Sequence, residues 1–424
     1  MKVLWITNIL FPEAISLITK RPSNPYGGGW MLGSANSLTN NKNVELYVAT
    51  VSGCVSRLTY VEGEKIHYAV IPIGKGNIKY NKDYERYWIQ IQNKFNPDIV
   101  HIHGTEFTQG LAYVKAIGKK NVVVSIQGMK SVISKYYTAG ISFWDIISNL
   151  TIHDLLKGGI YSERRTFEKS GKFEKDLIRH VDYIIGRTSW DKAHTFSINA
   201  NRKYFSCNET LLPIYYTGEK WSLKKCKRHS IFLSQAYYPL KGVHIVLKAM
   251  PIIINKYPDV SIRIAGDDIT NYKGISGLRH NTTYWNYIKK LIHKYGLEDH
   301  ISFTGLLSPE KMKQEYLNSN VFICPSSIEN SPNSLGEAQI LGVPCIGSYA
   351  GGIPDMMRGD EEHLYRFDDY EMLAFLIESV FEDCCENISM INVASNRHNS
   401  EKNNAQLLNI YKEIIQSNDN CNIL

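Results

Sequence analysis

The chain has 424 residues, with 48 Lys+Arg against 41 Asp+Glu for a net charge of +7; 43% of its residues are hydrophobic and 21% charged. That length exceeds one ordinary core and suits two domains of about 200 residues each, and the composition excludes a disordered chain. No apolar run reaches the roughly 18 residues of a membrane-spanning helix, and Met1 leads directly into a strand pattern rather than a signal peptide, so a cytoplasmic site of action is expected.

In chain order, Met1 to Asn8 reads as a strand, followed by a long loop ending in Gly27-Gly28-Gly29 and a helical run from Trp30 to Leu38. The glycines permit close backbone approach at the first strand-to-helix turn; a plain flexible turn is the competing reading. The spacing is not G-x-G-x-x-G, which argues against a dinucleotide-dependent oxidoreductase. Strands follow at Val44 to Val51, Asp98 to His103, Val122 to Gln127 and Tyr183 to Arg187, with helical segments between most of them. His101 and His103 alternate along one strand and so share a face. No third ligand accompanies them, so one packed histidine and one at the lip of a cleft are expected. The stretch Met129 to Leu150 mixes Tyr136, Tyr137, Phe143 and Trp144 with few charges, and suits either an acceptor-side or membrane-facing flap or a core helix pair.

A second series begins after the polar, basic stretch Thr217 to Ser230, with strands at Ile231 to Ser234, Val260 to Ala265, Ile301 to Thr304 and Val321 to Cys324, each followed by a helical pattern. The alternation predicts two Rossmann-like α/β halves with parallel sheets facing a central cleft. The domains are expected at 1–210 and 211–400, with a linker near 210–228 and a last helical run, 402–418, placed to pack back on the first domain. Charge is uneven. Residues 1–220 hold 28 Lys+Arg against 18 Asp+Glu, +10, leaving 20 against 23, −3, for the rest. A basic half of that size suits peripheral contact with an anionic membrane, although a solvated surface without a partner has the same composition. No nucleic-acid partner is expected.

The most informative stretch runs from Cys324 to Asp355. Asn320 to Cys324 reads as a buried strand, Pro325 to Asn333 as its loop, and Leu335 to Leu341 as a helix starting at the carboxyl end of the sheet, where open α/β sheets bind ligands. The amides of such a helix start receive a pyrophosphate. Glu329, in the loop beyond the strand, is placed to accept hydrogen bonds from a sugar. Glu337 is either a second ligand-binding carboxylate or the acid of a Ser334-x-x-Glu337 capping box. Lys241 follows the strand IFLS and the loop QAYYPL, where it either neutralises a departing phosphate or is a surface lysine. Gly351-Gly352 is either a backbone nest for phosphate or a turn. No Asp-x-Asp pair occurs in the chain, so a carboxylate-held Mg²⁺ is not indicated, and neither a metal nor another cofactor is expected.

These motifs together resemble the GT-B glycosyltransferases of family 4, which are retaining enzymes. The resemblance rests on the glycine loop, PDIVHIHG at 97–104, GRTSWDKA at 186–193, PLKG at 239–242, FTG at 303–305 and ENSPNSLGEAQILGVP at 329–344. It implies that Glu329 contacts the donor hexose and supports the transition state, that Lys241 binds the donor pyrophosphate with backbone groups of Asn333, Ser334 and Leu335, and that Glu337 holds the ribose. Gln235, Leu306 and Gly352 complete the donor set, while Gly28, Gly29, His103, Gln127 and Arg187 line the acceptor side. Two positions depart from the family pattern: Gln235 stands where many members carry arginine, and Gln127 where many carry histidine. The implied reaction moves a hexose-type sugar from a nucleoside diphosphate to a glycan or lipid-linked acceptor, as in cell-surface polysaccharide synthesis. A catalytically silent sugar- or nucleotide-binding scaffold is the alternative.

Overall fold

The computed structural model describes residues 1–23, 29–73, 80–270, 281–383 and 388–420. The chain forms two compact units: Met1–Val132 with Phe167–Leu212 and His398–Leu424, and Ile133–Thr166 with Pro213–Arg397.

The first unit is built on β1 (Lys2–Thr7), β2 (Glu45–Ser52), β3 (Thr59–Glu62), β4 (Ile66–Pro72), β5 (Ile99–His103), β6 (Val122–Ser125), β7 (Tyr183–Gly186) and β8 (Lys203–Ser206). They lie in the order β3-β4-β2-β1-β5-β6-β7-β8. All pairs are parallel except β3 with β4, an antiparallel edge. The central strands are near-continuous apolar runs because both faces are covered. On one face Trp88, Ile91, Leu111 and Ile178 pack against Leu4, Ile102 and Val124. On the other, Leu407, Ile410, Tyr411 and Ile414 of the last helix, Ser400–Asn420, pack against Val3, Trp5 and Ile185.

A buried polar chain fixes that last helix. Trp5 Nε1 donates to Tyr411 Oη at 3.0 Å, and the hydroxyl lies 2.7 Å from His101 Nδ1. Burial pushes the His101 pKa down to about 3, so the ring is neutral at neutral pH and accepts the tyrosine proton.

The second unit has β9 (Ser230–Leu233), β10 (Ser261–Ile264), β11 (Ile301–Phe303), β12 (Val321–Cys324), β13 (Cys345–Ser348) and β14 (Leu364–Tyr365), all parallel, in the order β11-β10-β9-β12-β13-β14. This is the doubly wound 3-2-1-4-5-6 order. Its switch point, where successive crossovers leave to opposite sides, falls between β9 and β12, paired through Ile231↔Val321 and Phe232↔Phe322.

Both units are thus Rossmann-like α/β folds. The segment 133–166, expected in the domain 1–210, belongs instead to the second unit. His244 Nε2 donates to Ala139 O at 2.8 Å, and the Thr283 amide donates to Asp154 Oδ2 at 2.6 Å. These bonds are buried, and no periodicity in the sequence announces them.

Removing the hydroxyl in Tyr411→Phe leaves the Trp5 N–H and the His101 nitrogen buried without a partner, at a cost of about 1–3 kcal/mol. Chemical unfolding should show the loss in the transition of the first unit, and an unchanged midpoint would show that the chain of bonds does not hold the helix.

Candidate functional site

The loops after β9 and β12 leave the sheet on either side of the switch point, and their side chains meet there. Lys241 Nζ donates to Glu329 Oε1, and Ser326 Oγ lies 3.3 Å from the same oxygen. Both partners of the ion pair are mostly buried. Burial opposes the lysine charge, but the Glu329 carboxylate outweighs it and the Lys241 pKa is raised overall. The ammonium also lies 5.6 Å from the Tyr238 ring centroid. The pair lines a small pocket together with Ser234, Gln235, Pro332 and Ser334.

Backbone contacts fix the two loops against each other. Ser327 N donates to Leu240 O at 2.8 Å. Gly242 has φ +71°, and a Cβ there would sit 1.8 Å from Pro325 O; at Gly351, φ +60°, it would sit 1.8 Å from Glu329 O. Gly352 N donates to Glu329 O at 2.9 Å. The Gly351-Gly352 pair, expected as a phosphate nest or a turn, is therefore a brace on the Glu329 backbone, with its second amide already used.

The helix Asn333–Leu341 begins with Pro332 at its cap position and no side-chain cap bond. Ser334 is thus inside the helix, and the Ser334-x-x-Glu337 capping box does not form. The amides of Leu335 and Gly336 return to Pro332 O at 3.1 and 3.3 Å, so those of Asn333 and Ser334 are the ones a helix start leaves for an anion. Glu337 instead accepts from Tyr316 Oη at 3.0 Å and from Tyr215. Burial raises its pKa to about 7, with the tyrosine bonds opposing the rise. Leu306 is 83% exposed and outside the residues lining the Lys241 pocket.

In the first unit, His103, Gln127 and Arg187 line one cavity with Ser34, Glu209 and Asn403. His103 is buried beside His101, ring centroids 3.8 Å apart. Neither histidine stands at an exposed lip: Trp5 packs against both rings and Tyr411 of the last helix against His101, while His103 lines the cavity from a buried position. Burial, then the neighbouring His101 and Arg187, hold the His103 pKa well below the usual range. Arg187 forms an ion pair with Glu209, both side chains under 8% exposed. Its Nη2 also donates to Ile126 O at 2.5 Å and Gln127 Oε1 at 3.3 Å. Gly29 is described, at φ +48°, and does not line this cavity; Gly28 lies outside the described residues.

Sequence reasoning missed Ser326, Tyr215 and Tyr316 in the second unit and Glu209, Glu106 and Glu174 in the first. Glu106 accepts from Gly128 N at 2.9 Å, and Glu174 from Thr105 Oγ1, Lys130 N and Ser131 N at 2.9–3.0 Å. Ser326 sits two residues past a buried strand at the ligand edge, a signal that was available; the tyrosines had none. Among the described residues Asp360, Glu362 and His363 also come within 4.8 Å of one another. His363 Nδ1 lies 2.7 Å from Asp360 Oδ1, and none of the three lines the Lys241 pocket.

Residues 219–404 match the family model for Glycosyl transferases group 1. Among curated proteins, the chain is 32% identical over 135 residues to spore coat protein SA of Bacillus subtilis, covering 31% of this chain and 33% of that one. It is 26% identical over 179 residues to a D-inositol 3-phosphate glycosyltransferase of Corynebacterium urealyticum, covering 41% of each. The chain thus spans less than half the length of these relatives. Among solved structures it is similar to sucrose-phosphate synthase of Thermosynechococcus elongatus, with a TM-score of 0.69 at 14% identity over 98% of this chain and 100% of that one. It is also similar to Anabaena Alr3699/HepE in complex with UDP, with a TM-score of 0.63 at 14% identity over 97% and 100%. The fold is that of the GT-B glycosyltransferases.

The raised Glu337 pKa has a pH signature. An acid whose folded pKa lies above its unfolded value contributes stability that is complete below about 4.5 and lost as pH rises through about 7. Glu337→Gln removes the titration, so its melting temperature should gain on the wild type as pH rises across that window. A constant difference from pH 4.5 to 8 would show that the carboxyl is not held in this environment.

Proposed function

We propose that the protein is a retaining glycosyltransferase that moves a hexose-type sugar from a nucleoside diphosphate to a hydroxyl of a glycan or lipid-linked acceptor. The observation that carries the reading is the Lys241–Glu329 pair at the switch point, next to the start of the helix Asn333–Leu341, within a region matching Glycosyl transferases group 1. A similar fold was solved with UDP.

In the proposed reaction the diphosphate lies against Lys241 and the first amides of that helix, and Glu337 receives the ribose hydroxyls. The donor displaces the ammonium from Glu329, whose carboxylate then accepts from the sugar. The bond from C1 to the β-phosphate oxygen breaks as C1 bonds to the acceptor oxygen on the same face. The acceptor proton passes to the departing phosphate, which needs no protein base. Lys241 and the helix amides neutralise the leaving charge without a metal, in keeping with the lack of an Asp-x-Asp pair. Gln235 can hydrogen-bond a phosphate but adds no charge, so Lys241 is the cation of this pocket lining.

The rival is a sugar- or nucleotide-binding scaffold without turnover. What favours it is Gln127, which cannot titrate and whose Oε1 is already taken by Arg187. Donor hydrolysis in the absence of acceptor separates the two, because a scaffold binds the donor and leaves it intact.

Screening UDP, GDP and ADP, then their sugars, by thermal shift should identify one nucleotide that raises the melting temperature. With that donor, Lys241→Ala and Glu329→Gln should each lower turnover by roughly 10²–10⁴-fold while unfolding remains cooperative. Turnover near wild type in both variants would remove the reading.

A further inference from the structure

The first sheet has a switch point of its own. The strand order β3-β4-β2-β1-β5-β6-β7-β8 reverses between β1 and β5, which pair through Val3↔Ile99 and Ile6↔Ile102. The carboxyl ends of such strands are where an open α/β sheet receives a ligand. Three loops leave the sheet there: Asn8 directly follows β1, Gly104, Thr105 and Glu106 follow β5, and Gln127 and Gly128 lie just past β6. They close on one spot. Gly104 has φ +87°, and a Cβ there would stand 2.2 Å from Glu106 Oε2, 2.9 Å from Asn8 Nδ2 and 3.3 Å from Gln127 Cγ.

Glu106 is held in place while staying half-buried, as are Asn8 and Gln127. Its Oε1 accepts from Gly128 N at 2.9 Å, and its Oε2 faces Asn8 Nδ2 at the longer distance of 3.4 Å. Gln109, the first residue of the helix Gln109–Ile117, donates to Thr7 O at 2.8 Å and to Asn8 Oδ1 at 3.4 Å, which fixes the Asn8 amide with its N–H side toward the carboxylate. A carboxylate offers about four lone-pair sites, so one short bond and one long one leave room for further donors. The result is an oriented acceptor beside an oriented donor, both reachable from solvent.

The charged groups around the spot are committed elsewhere. Lys130 Nζ donates to the backbone oxygen of Glu106 at 2.7 Å and lies 4.7 and 5.4 Å from the ring centroids of Phe107 and Phe167. Arg187 pairs with Glu209, and Glu174 is taken by Thr105 Oγ1 and the amides of Lys130 and Ser131. Burial raises the Glu106 pKa, against the Gly128 amide and the Lys130 and Arg187 charges. Its ionised form therefore gains from each hydrogen-bond donor that a ligand brings.

We propose that Glu106, with Asn8 beside it, receives the hydroxyls of an uncharged sugar, and that this sugar is the end of the acceptor that takes the transferred hexose. A phosphate at the same spot would meet a like charge at short range, with the Lys130 and Arg187 cations already in use, so the site selects a neutral sugar over a phosphorylated one. Neither residue is in the set that the sequence places on the acceptor side, of which His103, Gln127 and Arg187 line the cavity beside the last helix. The role as acceptor site rests on the proposed transfer; the binding of a sugar rests on the geometry alone, in a unit that holds none of the Lys241 pocket.

The test is saturation-transfer NMR on the full chain, which needs no turnover, with the methyl glycosides of glucose, galactose, mannose and N-acetylglucosamine and with the 6-phosphates of glucose and mannose. At least one neutral glycoside should bind wild type, and the phosphates should not. Glu106→Gln, which keeps an oxygen for the Gly128 amide, should weaken that binding by roughly tenfold or more. Glu106→Lys should reverse the preference toward the phosphates, a change that a merely structural role does not produce. The melting-temperature shift given by the nucleotide of the thermal screen is read in the same variants, and loss of glycoside binding with that shift retained locates the defect at Glu106. With the matching nucleotide sugar, Glu106→Gln should raise the acceptor KM far more than it lowers kcat. A wild type that binds none of the neutral glycosides, or binds the phosphates equally well, overturns the inference, and so does Glu106→Gln binding at wild-type strength. A chain that binds the glycoside through Glu106 yet takes no nucleotide keeps this site and removes the transferase reading.

Discussion

The second unit depends on one constraint: a lysine and a glutamate from loops 88 residues apart must meet at the edge of a parallel sheet. The strand order makes this possible. Because β9 and β12 are neighbours whose crossovers leave to opposite sides, the loops after them face one another with no helix between. Lys241 and Glu329 fill that space, and each neutralises a charge that the other would leave uncompensated in a largely dry site. The glycines at 242 and 351 follow from the same crowding. At each, the backbone of the opposite loop stands where a side chain would begin, so the close approach that brings the charges together excludes any Cβ.

Much of this was legible in the sequence, and the reasons differ by element. Near-continuous apolar runs such as VLWIT and VFIC mark buried parallel strands because both of their faces are covered. Glu329 and Lys241 were readable because they directly follow such strands at the ligand edge. Contacts between segments distant in the chain were not. Nothing local in Tyr215 or Tyr316 says that both hydroxyls converge on Glu337. The capping-box alternative at Ser334 fails for a related reason, since the helix already starts at Asn333 with Pro332 at its cap position. The antiparallel edge formed by β3 and β4 escaped notice because it breaks the α/β alternation on which the reading relied.

The cavity of the first unit is chemically different from the Lys241 pocket. Its histidines are neutral by burial, and its one cation, Arg187, is committed to Glu209 of the same lining and to carbonyl oxygens. Such a site offers shape and fixed hydrogen-bonding groups rather than mobile charge. Breaking a buried pair like Arg187–Glu209 is costly because the remaining charge has nowhere to go, so this wall of the cavity is rigid. The rigidity suits positioning more than proton transfer, in line with the proposed reaction, in which the proton leaves on a phosphate.

Glu337 joins the architecture to the proposed chemistry. Two tyrosine hydroxyls occupy part of its carboxylate, yet burial still keeps its pKa near neutrality. On the donor reading, a ribose adds two further hydroxyl donors to the same group, and donors to the charged form lower a pKa. Nucleotide binding is then coupled to release of a proton from Glu337, and affinity increases with pH until the free enzyme has already lost that proton. An arginine at this position would hold a ribose without that coupling, and a glutamate fully exposed to water would be ionised beforehand. The linkage therefore arises from the burial that Tyr215, Tyr316 and the strand-to-helix turn impose.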